Sequence, residues 1–247
     1  TISGGTGADT IYGGLGNDMI YGVSALDSAG SSAANLTVQS YVADFSAGLD
    51  GYVYSDVSQG VYANGVRIAT DGNTANCALE ITLGGIDGAS IANMSGEFST
   101  TFTMASAVDT AVLRFAYKAL HPSTNGFEVP ENLQLTVDID GTTYSDIGQS
   151  YFYEALNPST TFNTGWNAIS FDIGALSAGN HTLTLNGLLT GKSVLREVID
   201  VRFDDIEVVG ANKGVSTGTT NLLHGSYGQD TLLGSSETDH FIFDAES

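Results

Sequence analysis

Two nine-residue segments at the start of the chain repeat without a gap, and they constrain its fold more than any other feature. Residues 4–12 read Gly-Gly-Thr-Gly-Ala-Asp-Thr-Ile-Tyr, and residues 13–21 read Gly-Gly-Leu-Gly-Asn-Asp-Met-Ile-Tyr. Glycines allow the backbone conformations of a tight six-residue turn, and the last three residues can form a short strand. The middle residue of that strand, Ile11 or Ile20, would point inward. The pattern therefore predicts stacked turns around a narrow apolar core.

The same nine-residue period returns near the carboxyl end in a less regular form. Residues 225–233 and 234–242 keep the aspartate at the sixth position, although serine replaces the second glycine in both units and glutamate replaces the third glycine in the last. Residues 216–224 form a looser unit with asparagine at the aspartate position. The residues predicted to point inward from these strands are Leu223, Leu232 and Phe241.

The turns have the composition of calcium sites shared between repeats. Ca²⁺ takes about six to eight oxygen ligands, so the carbonyls and the single carboxylate of one turn cannot complete its shell. Ligands must therefore come from two stacked turns, and the chain should bind several Ca²⁺ ions. The predicted ligand residues are Gly4, Gly5, Gly7, Asp9, Gly13, Gly14, Gly16, Asp18, Gly225, Gly228, Asp230 and Asp239.

These nonapeptides resemble the RTX calcium-binding repeats, in which a Gly-Gly-x-Gly-x-Asp turn precedes a short strand. The resemblance implies a parallel β-roll filled with Ca²⁺, in a protein that a bacterium secretes or holds at its cell surface. It does not imply an activity, because such repeats occur in toxins, proteases, lipases, epimerases and adhesins. The function must therefore be sought in the residues between the two repeat regions.

Two amino-terminal repeats cannot complete a calcium site by themselves. Each nonapeptide of a β-roll forms half a coil, so a turn must pair with the turn two repeats later. We therefore predict one continuous roll, in which turn 4–9 shares calcium with residues 216–221 and turn 13–18 shares it with residues 225–230. Residues 1–3 would be the strand of a still earlier unit.

The residues between the repeats show the pattern of an all-β domain. Alternating runs at 111–117 and 133–139 are separated by turn signals, and further strands are predicted at 168–173, 181–186 and 198–209. Hairpin-type turns are predicted at Asp50-Gly51, Asn64-Gly65 and Asp140-Gly141.

Several segments in this region resemble, in their order, a jelly-roll module similar to carbohydrate-binding modules of large RTX proteins. The segments are residues 44–52, 78–85, 165–166 with 171–174, 178–185 and 203–208. We therefore predict an all-β fold, with a jelly-roll β-sandwich over residues 23–215 inserted in, or flanked by, a calcium-binding parallel β-roll made of residues 1–22 and 216–247. The resemblance also implies a structural Ca²⁺ between the first and last strands, at Asp44 and Asp205. Exposed strand-end carboxylates without a metal are the alternative for the pair Asp204-Asp205.

The charge balance restricts the partners. Lysine and arginine total 7 against 28 for aspartate and glutamate, a formal net charge of −21. This deficit of basic residues argues against nucleic acid and anionic membranes, and no apolar run reaches the ~18 residues of a membrane span. The single cysteine, Cys77, cannot form an internal disulfide. The first residues do not form a signal peptide, so we expect an export signal outside this sequence.

Sugar recognition commonly uses an aromatic ring beside carboxylates and amides, because sugar faces are apolar and their hydroxyls need directional partners. Strand alternation would place Tyr151 and Tyr153 on one face, and packing in the core is the alternative for each aromatic residue. Sugar could also be bound without an aromatic ring, because a bound Ca²⁺ can itself ligate sugar hydroxyls. Glu128, Glu131 or Glu197 would then be binding residues. The candidate ligand-binding residues are Tyr151, Tyr153, Trp166, Glu128 and Glu131.

The sequence favours binding over catalysis. It lacks the short motifs of serine hydrolases and zinc proteases, and its four histidines are scattered over predicted turns and strands. The favoured interpretation is an adhesin-like, calcium-dependent module that binds an extracellular or cell-surface polysaccharide. Two alternatives stay open: a calcium-stabilised spacer that binds nothing, and an accessory module of a polysaccharide-modifying enzyme such as an epimerase or lyase.

Overall fold

The computed structural model describes residues 39–211, apart from residues 75 and 86, and six short strands nearer the two ends of the chain. These residues contain one short 3-10 helix, Gly60–Tyr62, and no helix among them is long and apolar enough to cross a membrane. Eighteen strands are numbered in chain order: β1 (Ile2–Ser3), β2 (Thr10–Tyr12), β3 (Met19–Tyr21), β4 (Gln39–Ala43), β5 (Val53–Ser58), β6 (Ala63–Ile68), β7 (Ala78–Gly84), β8 (Ile91–Met104), β9 (Val108–Leu120), β10 (Asn132–Ile139), β11 (Thr142–Thr143), β12 (Tyr153–Leu156), β13 (Asn167–Leu176), β14 (Gly179–Lys192), β15 (Val198–Ala211), β16 (Asn221–His224), β17 (Thr231–Leu233) and β18 (Asp239–Ile242).

The chain forms two compact units, which we call the roll and the sandwich. The roll comprises Thr1–Val38, Val108–Thr110 and Gly210–Ser247, and the sandwich comprises Gln39–Ala107 and Ala111–Val209. Strands β1 to β3 and β16 to β18 pair among themselves in the roll, while β4 to β15 build the sandwich.

Two three-stranded sheets of the roll join strands from opposite ends of the chain. Their strand orders are β1-β3-β17 and β18-β16-β2. In parallel register, Ile11 lies opposite Leu223, and Ile20 lies opposite Leu232. This pairing confirms that the amino-terminal and carboxyl-terminal repeats form one roll rather than two.

The outer strands β1 and β18 continue the alignment of the residues predicted to point inward. Ile2 lies opposite Ile20, as expected for a strand of an earlier unit, and Phe241 lies opposite Leu223. Asp239 is the first residue of β18. Its role as a calcium ligand stays a prediction, as do the roles of eleven turn residues that lie outside the described residues: Gly4, Gly5, Gly7, Asp9, Gly13, Gly14, Gly16, Asp18, Gly225, Gly228 and Asp230.

Two antiparallel sheets form the sandwich. In the first sheet the strand order is β11-β10-β14-β8-β5, and β12 also pairs with β10. In the second sheet the order is β13-β9-β15-β7-β6, and β4 also pairs with β15. The longest partners, β8 and β14, pair from Ile91 with Lys192 to Met104 with Gly179. The all-β jelly-roll sandwich predicted from the sequence is therefore confirmed.

Alternation along the strands decides which side chains form the core. In β10, Leu133 and Leu135 are buried, whereas Gln134 between them is half-exposed. In β15, Ile199 and Val201 are likewise buried. Because every second residue points to the same side of a strand, each sheet turns one apolar face toward the core and one polar face outward. The five strands predicted at 111–117, 133–139, 168–173, 181–186 and 198–209 are confirmed.

The three predicted hairpin-type turns have different outcomes. Asp140 and Gly141 have φ angles of 51° and 78° and join β10 to β11 as a two-residue hairpin. Asp50 and Gly51 also have positive φ angles, but they connect β4 to β5, which belong to different sheets.

The prediction of a turn at Asn64-Gly65 is wrong. Both residues lie inside β6, where Gly65 pairs with Ile81 of β7. The reason is tertiary: a Cβ atom on Gly65 would lie 2.0 Å from the ring of Tyr54. The glycine therefore makes room for an aromatic ring instead of reversing the chain.

Candidate metal centre and sugar-binding surface

Three glutamates from two loops of the sandwich come together. Glu128 and Glu131 lie just before β10, and Glu197 lies just before β15. One carboxylate oxygen from each lies within 4.8 Å of the other two. Glu131 and Glu197 are 7% and 0% exposed, while Glu128 is exposed. The cluster therefore begins in the interior and ends at the surface.

Reciprocal hydrogen bonds fix the loop that carries Glu128 and Glu131. The Glu131 amide donates to the Glu128 carbonyl at 2.7 Å, and the Glu128 amide donates to Oε2 of Glu131 at 2.8 Å. The Thr190 hydroxyl donates to the Pro130 carbonyl at 2.9 Å and accepts the Asn132 amide at 2.8 Å. These bonds hold the loop against β14, so the Glu131 carboxylate has a fixed position.

Glu197 is held by its backbone and by one oxygen of its carboxylate. Oε2 accepts the amides of Ser193 and Val194, the second at 2.7 Å. The Glu197 carbonyl accepts the Gly85 amide at 3.2 Å, and a Cβ atom on Gly84 would lie 2.0 Å from that carbonyl oxygen. The other carboxylate oxygen, Oε1, is buried and has no hydrogen-bond partner among the residues that the structure describes.

The electrostatics of the cluster follow from this burial. Desolvation, together with the neighbouring Glu128 carboxylate, raises the pKa of Glu197 to about 7. The pKa of Glu128 is lowered, first by its interaction with the neighbouring Glu197 carboxyl group and next by the Ser193 hydroxyl, which donates to its Oε2 at 3.0 Å. None of the ion pairs in residues 39–211 includes a glutamate of this cluster. The cluster thus concentrates carboxylates without a basic side chain to balance them.

Asp44 and Asp205 accept hydrogen bonds from protein groups. Asp44 accepts the Ser46 amide at 3.0 Å and the Ser46 hydroxyl at 2.7 Å. Asp205 accepts the Asn73 side-chain amide at 2.7 Å and the Thr74 hydroxyl. In the described part of the sandwich, the one group of three or more clustered metal-ligating side chains contains neither aspartate. Their calcium site stays a prediction.

Tyr151 belongs to a polar chain on the outer face of the first sheet. Its hydroxyl donates to Oε2 of Glu154 at 3.0 Å, and Oε1 of Glu154 accepts the Gln134 side-chain amide at 2.8 Å. Gln134 and Glu154 are opposite each other in the pairing of β10 with β12. Sequence reasoning missed both residues, although the Tyr-x-x-Glu spacing was the available signal.

Tyr153 does not share the face of Tyr151. It lies opposite Leu135, whose side chain is in the core, and its ring contacts that of Tyr117 at a centroid distance of 5.3 Å. Strand β12 begins only at Tyr153, so alternation does not extend back to Tyr151. Trp166 lies just before β13, and its buried Nε1 has no hydrogen-bond partner within the described part of the chain. Their roles in ligand binding stay predictions.

Comparison with known proteins identifies the repeats at both ends of the chain. The RTX calcium-binding nonapeptide repeat family matches residues 1–24 and 216–245 in four copies, so both ends of the chain carry RTX calcium-binding repeats. No curated protein matches the chain.

Several solved structures are similar to the chain. The K1 cleaved adhesin domain of Lys-gingipain from Porphyromonas gingivalis has 11% identity and a TM-score of 0.42, covering 73% of this chain and 99% of that one. The module CBM27-1 of Caldicellulosiruptor saccharolyticus, solved with mannohexaose, has 11% identity and a TM-score of 0.39, covering 69% and 97%. The module TmCBM61, solved with β-1,4-galactotriose, has 15% identity and a TM-score of 0.34, covering 64% and 86%.

Proposed function

We propose that this chain is a calcium-dependent segment of a secreted, adhesin-like bacterial protein, and that its sandwich binds a polysaccharide. RTX repeats bind calcium, and the repeats at the two ends of the chain pair into common sheets. Because external calcium is far more abundant than calcium inside a cell, such a roll would become stable only after export. The net charge of −21 is consistent with a requirement for cations.

The observation that carries the glycan proposal is the polar chain from Tyr151 through Glu154 to Gln134. It places an aromatic ring, a carboxylate and an amide side by side on the outward face of a sheet. An aromatic face stacks on the apolar side of a sugar ring. Carboxylates accept hydrogen bonds from the sugar hydroxyls, and side-chain amides both accept and donate them. All three side chains are half-exposed, so a ligand can reach them.

The alternatives to sugar binding are a spacer that binds nothing and a module of a polysaccharide-modifying enzyme. Each requires different features of this surface. A spacer needs no half-exposed aromatic ring tied to a carboxylate. A glycosidase needs two carboxyl groups on opposite sides of a bond, whereas Glu154 has both oxygens engaged by Tyr151 and Gln134. We therefore favour a surface that holds a sugar without cleaving it.

A glycan array with the full chain tests this proposal. Wild type should bind a polysaccharide in millimolar CaCl2, and Tyr151→Ala and Glu154→Gln should each weaken that binding by about tenfold without changing the melting temperature of the sandwich. Glu207→Gln, a change in β15 of the other sheet, is the matched control. Absence of binding to every glycan in calcium would favour the spacer, and release of reducing or unsaturated ends would favour the enzyme.

A further inference from the structure

The sandwich contains a second set of oxygen ligands that no nonapeptide supplies. We propose that Glu128, Glu131 and Glu197 bind a Ca²⁺ ion, each through one carboxylate oxygen. The geometry supports this directly, because the three oxygens lie within 4.8 Å of one another. Two ligands of one Ca²⁺ ion, each at about 2.3–2.6 Å, lie at most ~5 Å apart.

The orientation of Glu197 is the independent sign of a ligand. Its side chain is fully buried, and one oxygen already accepts two backbone amides. The other oxygen, Oε1, has no partner among the described residues, although buried polar atoms in proteins are nearly always hydrogen-bonded. A cation at the cluster would complete this oxygen's coordination.

The nearby ammonium group of Lys192 does not bind Oε1 of Glu197 in place of a metal ion. The buried ammonium group of Lys192 is next in sequence to the Ser193 turn, but it donates to the carbonyls of Asp87 and Ala89 at 3.0 and 2.7 Å. Among the described residues, its carboxylate contact is with Asp87, at 3.5 Å. Lys192 therefore neutralises part of the charge of Asp87. It does not neutralise Glu128, Glu131 or Glu197.

The donor set favours calcium over other metals. All three side chains offer oxygen, and the cluster contains no histidine or cysteine, which zinc would prefer. Ca²⁺ also accepts irregular shells completed by carbonyls and water, whereas Mg²⁺ requires a near-ideal octahedron and gives up its water reluctantly. The exposed Glu128 leaves the outward side of the ion open to water.

Catalysis by the same carboxylates fits the structure less well. Two neighbouring carboxyl groups of unequal acidity can act as a general acid and base. Glu197, however, is 0% exposed, and its Oε2 already accepts the Ser193 and Val194 amides. A substrate could not reach it, but a single ion could.

The consequence is a calcium clamp between two loops. Glu128 and Glu131 lie in the segment before β10, and Glu197 closes the turn before β15. Bound Ca²⁺ would hold these segments together, and it would protect the Ser193 and Val194 amides, whose acceptor is a ligand of the ion.

Calcium counting with the full chain tests the site. At saturating CaCl2, isothermal titration should find one ion fewer in Glu197→Gln than in wild type. Glu128→Gln, which changes an exposed residue, should weaken one class of sites by about tenfold, because calcium affinity depends on ligand charge. Amide exchange at Ser193 and Val194 should become faster in both variants and in chelator.

The controls separate this site from the roll and from glycan binding. Glu207→Gln and Glu154→Gln should keep the wild-type ion count, although the second is expected to weaken glycan binding. A wild-type count and wild-type affinity in Glu128→Gln would overturn the proposal even if Glu197→Gln failed to fold. Loss of a site in Glu128→Gln would support it whether or not any glycan binds.

Discussion

The roll and the sandwich differ in what holds their strands together. Roll strands have two to four residues, and the repeat offers one inward apolar residue in every nine. Strands β8 and β14 of the sandwich have fourteen residues each, and core residues such as Leu79 and Phe203 are fully buried. The sandwich therefore has a large hydrophobic driving force of its own, while the roll is proposed to depend on Ca²⁺ as well. We therefore expect the two units to respond unequally to the removal of Ca²⁺.

Removal of calcium should have the largest effect and should fall mainly on the roll. Without cations the clustered carboxylates repel one another, and the roll loses a ligand that stabilises it by mass action. We expect calorimetry in CaCl2 to show two transitions, and excess chelator to abolish the one that belongs to the roll. An unchanged melting profile in chelator would refute the calcium-dependent roll.

Replacement of one repeat aspartate should affect both ends of the chain. Asp18→Ala should expose the amides of β3 to hydrogen exchange, and those of β17 as well, because these strands pair in parallel. Loss of protection in β3 alone would contradict the shared roll. Asp146→Ala, an exposed aspartate of the sandwich, is the matched control and should leave both strands protected.

A packing defect should reverse the pattern by weakening only the sandwich. Gly65→Ala would place a methyl group 2.0 Å from the Tyr54 ring and should destabilise the sandwich by about 1–3 kcal/mol. The calcium-dependent transition of the roll should keep its temperature. Gly48→Ala adds the same methyl group where no atom lies within 4 Å and should be neutral. Equal melting temperatures for the two variants would show that the Tyr54 contact is not limiting.

The smallest expected effect is a pH dependence of the sandwich that involves no calcium ligand of the roll. His181 is buried, with Nδ1 at 2.6 Å from Asp140 and Nε2 at 2.9 Å from the Ser177 carbonyl. Both partners accept hydrogen bonds, so both contacts are satisfied only when the ring carries two protons. Burial lowers the pKa of His181, but the bonds to Asp140 and Ser177 outweigh it, and the net shift is upward.

The same contact lowers the pKa of Asp140, because bonds from His181 and Thr182 outweigh its desolvation. The pair should therefore stabilise the sandwich fully between about pH 4 and pH 6.5. Stability should fall as pH rises through the raised pKa of His181, and also as pH falls through the lowered pKa of Asp140. The effect should stay below about 1 kcal/mol because Asp140 is half-exposed. Melting temperatures of wild type and His181→Asn measured across pH check this, and parallel curves would contradict it.

The two regions also differ in how much of their structure can be predicted from sequence. The roll is encoded by a period, so the pairing of Ile11 with Leu223 and of Ile20 with Leu232 followed from counting in nines. The glutamate cluster has no period. Glu131 and Glu197 meet because β10 pairs with β14 and because the chain then turns into β15, and that long-range pairing has no short sequence signature. Sequence analysis could name these glutamates singly but could not bring them together.

Local turn signals failed where tertiary packing decided the conformation. Asp140-Gly141 and Asn64-Gly65 carry the same chemistry for a hairpin, yet only the first forms one. The difference lies in the ring of Tyr54, which occupies the space beside Gly65. The same holds for Tyr151, whose polar partners became visible only with the register of Gln134 opposite Glu154.

The parallel pairing of the two ends has a mechanical consequence. Tension applied to residues 1 and 247 would run through the hydrogen bonds between β3 and β17 and between β2 and β16, which join the ends of the chain. The sandwich lies between these strands in sequence and would bear no load until they separate. Calcium in the roll would then set the rupture force of the whole segment, and the proposed sugar-binding surface would keep its shape under tension.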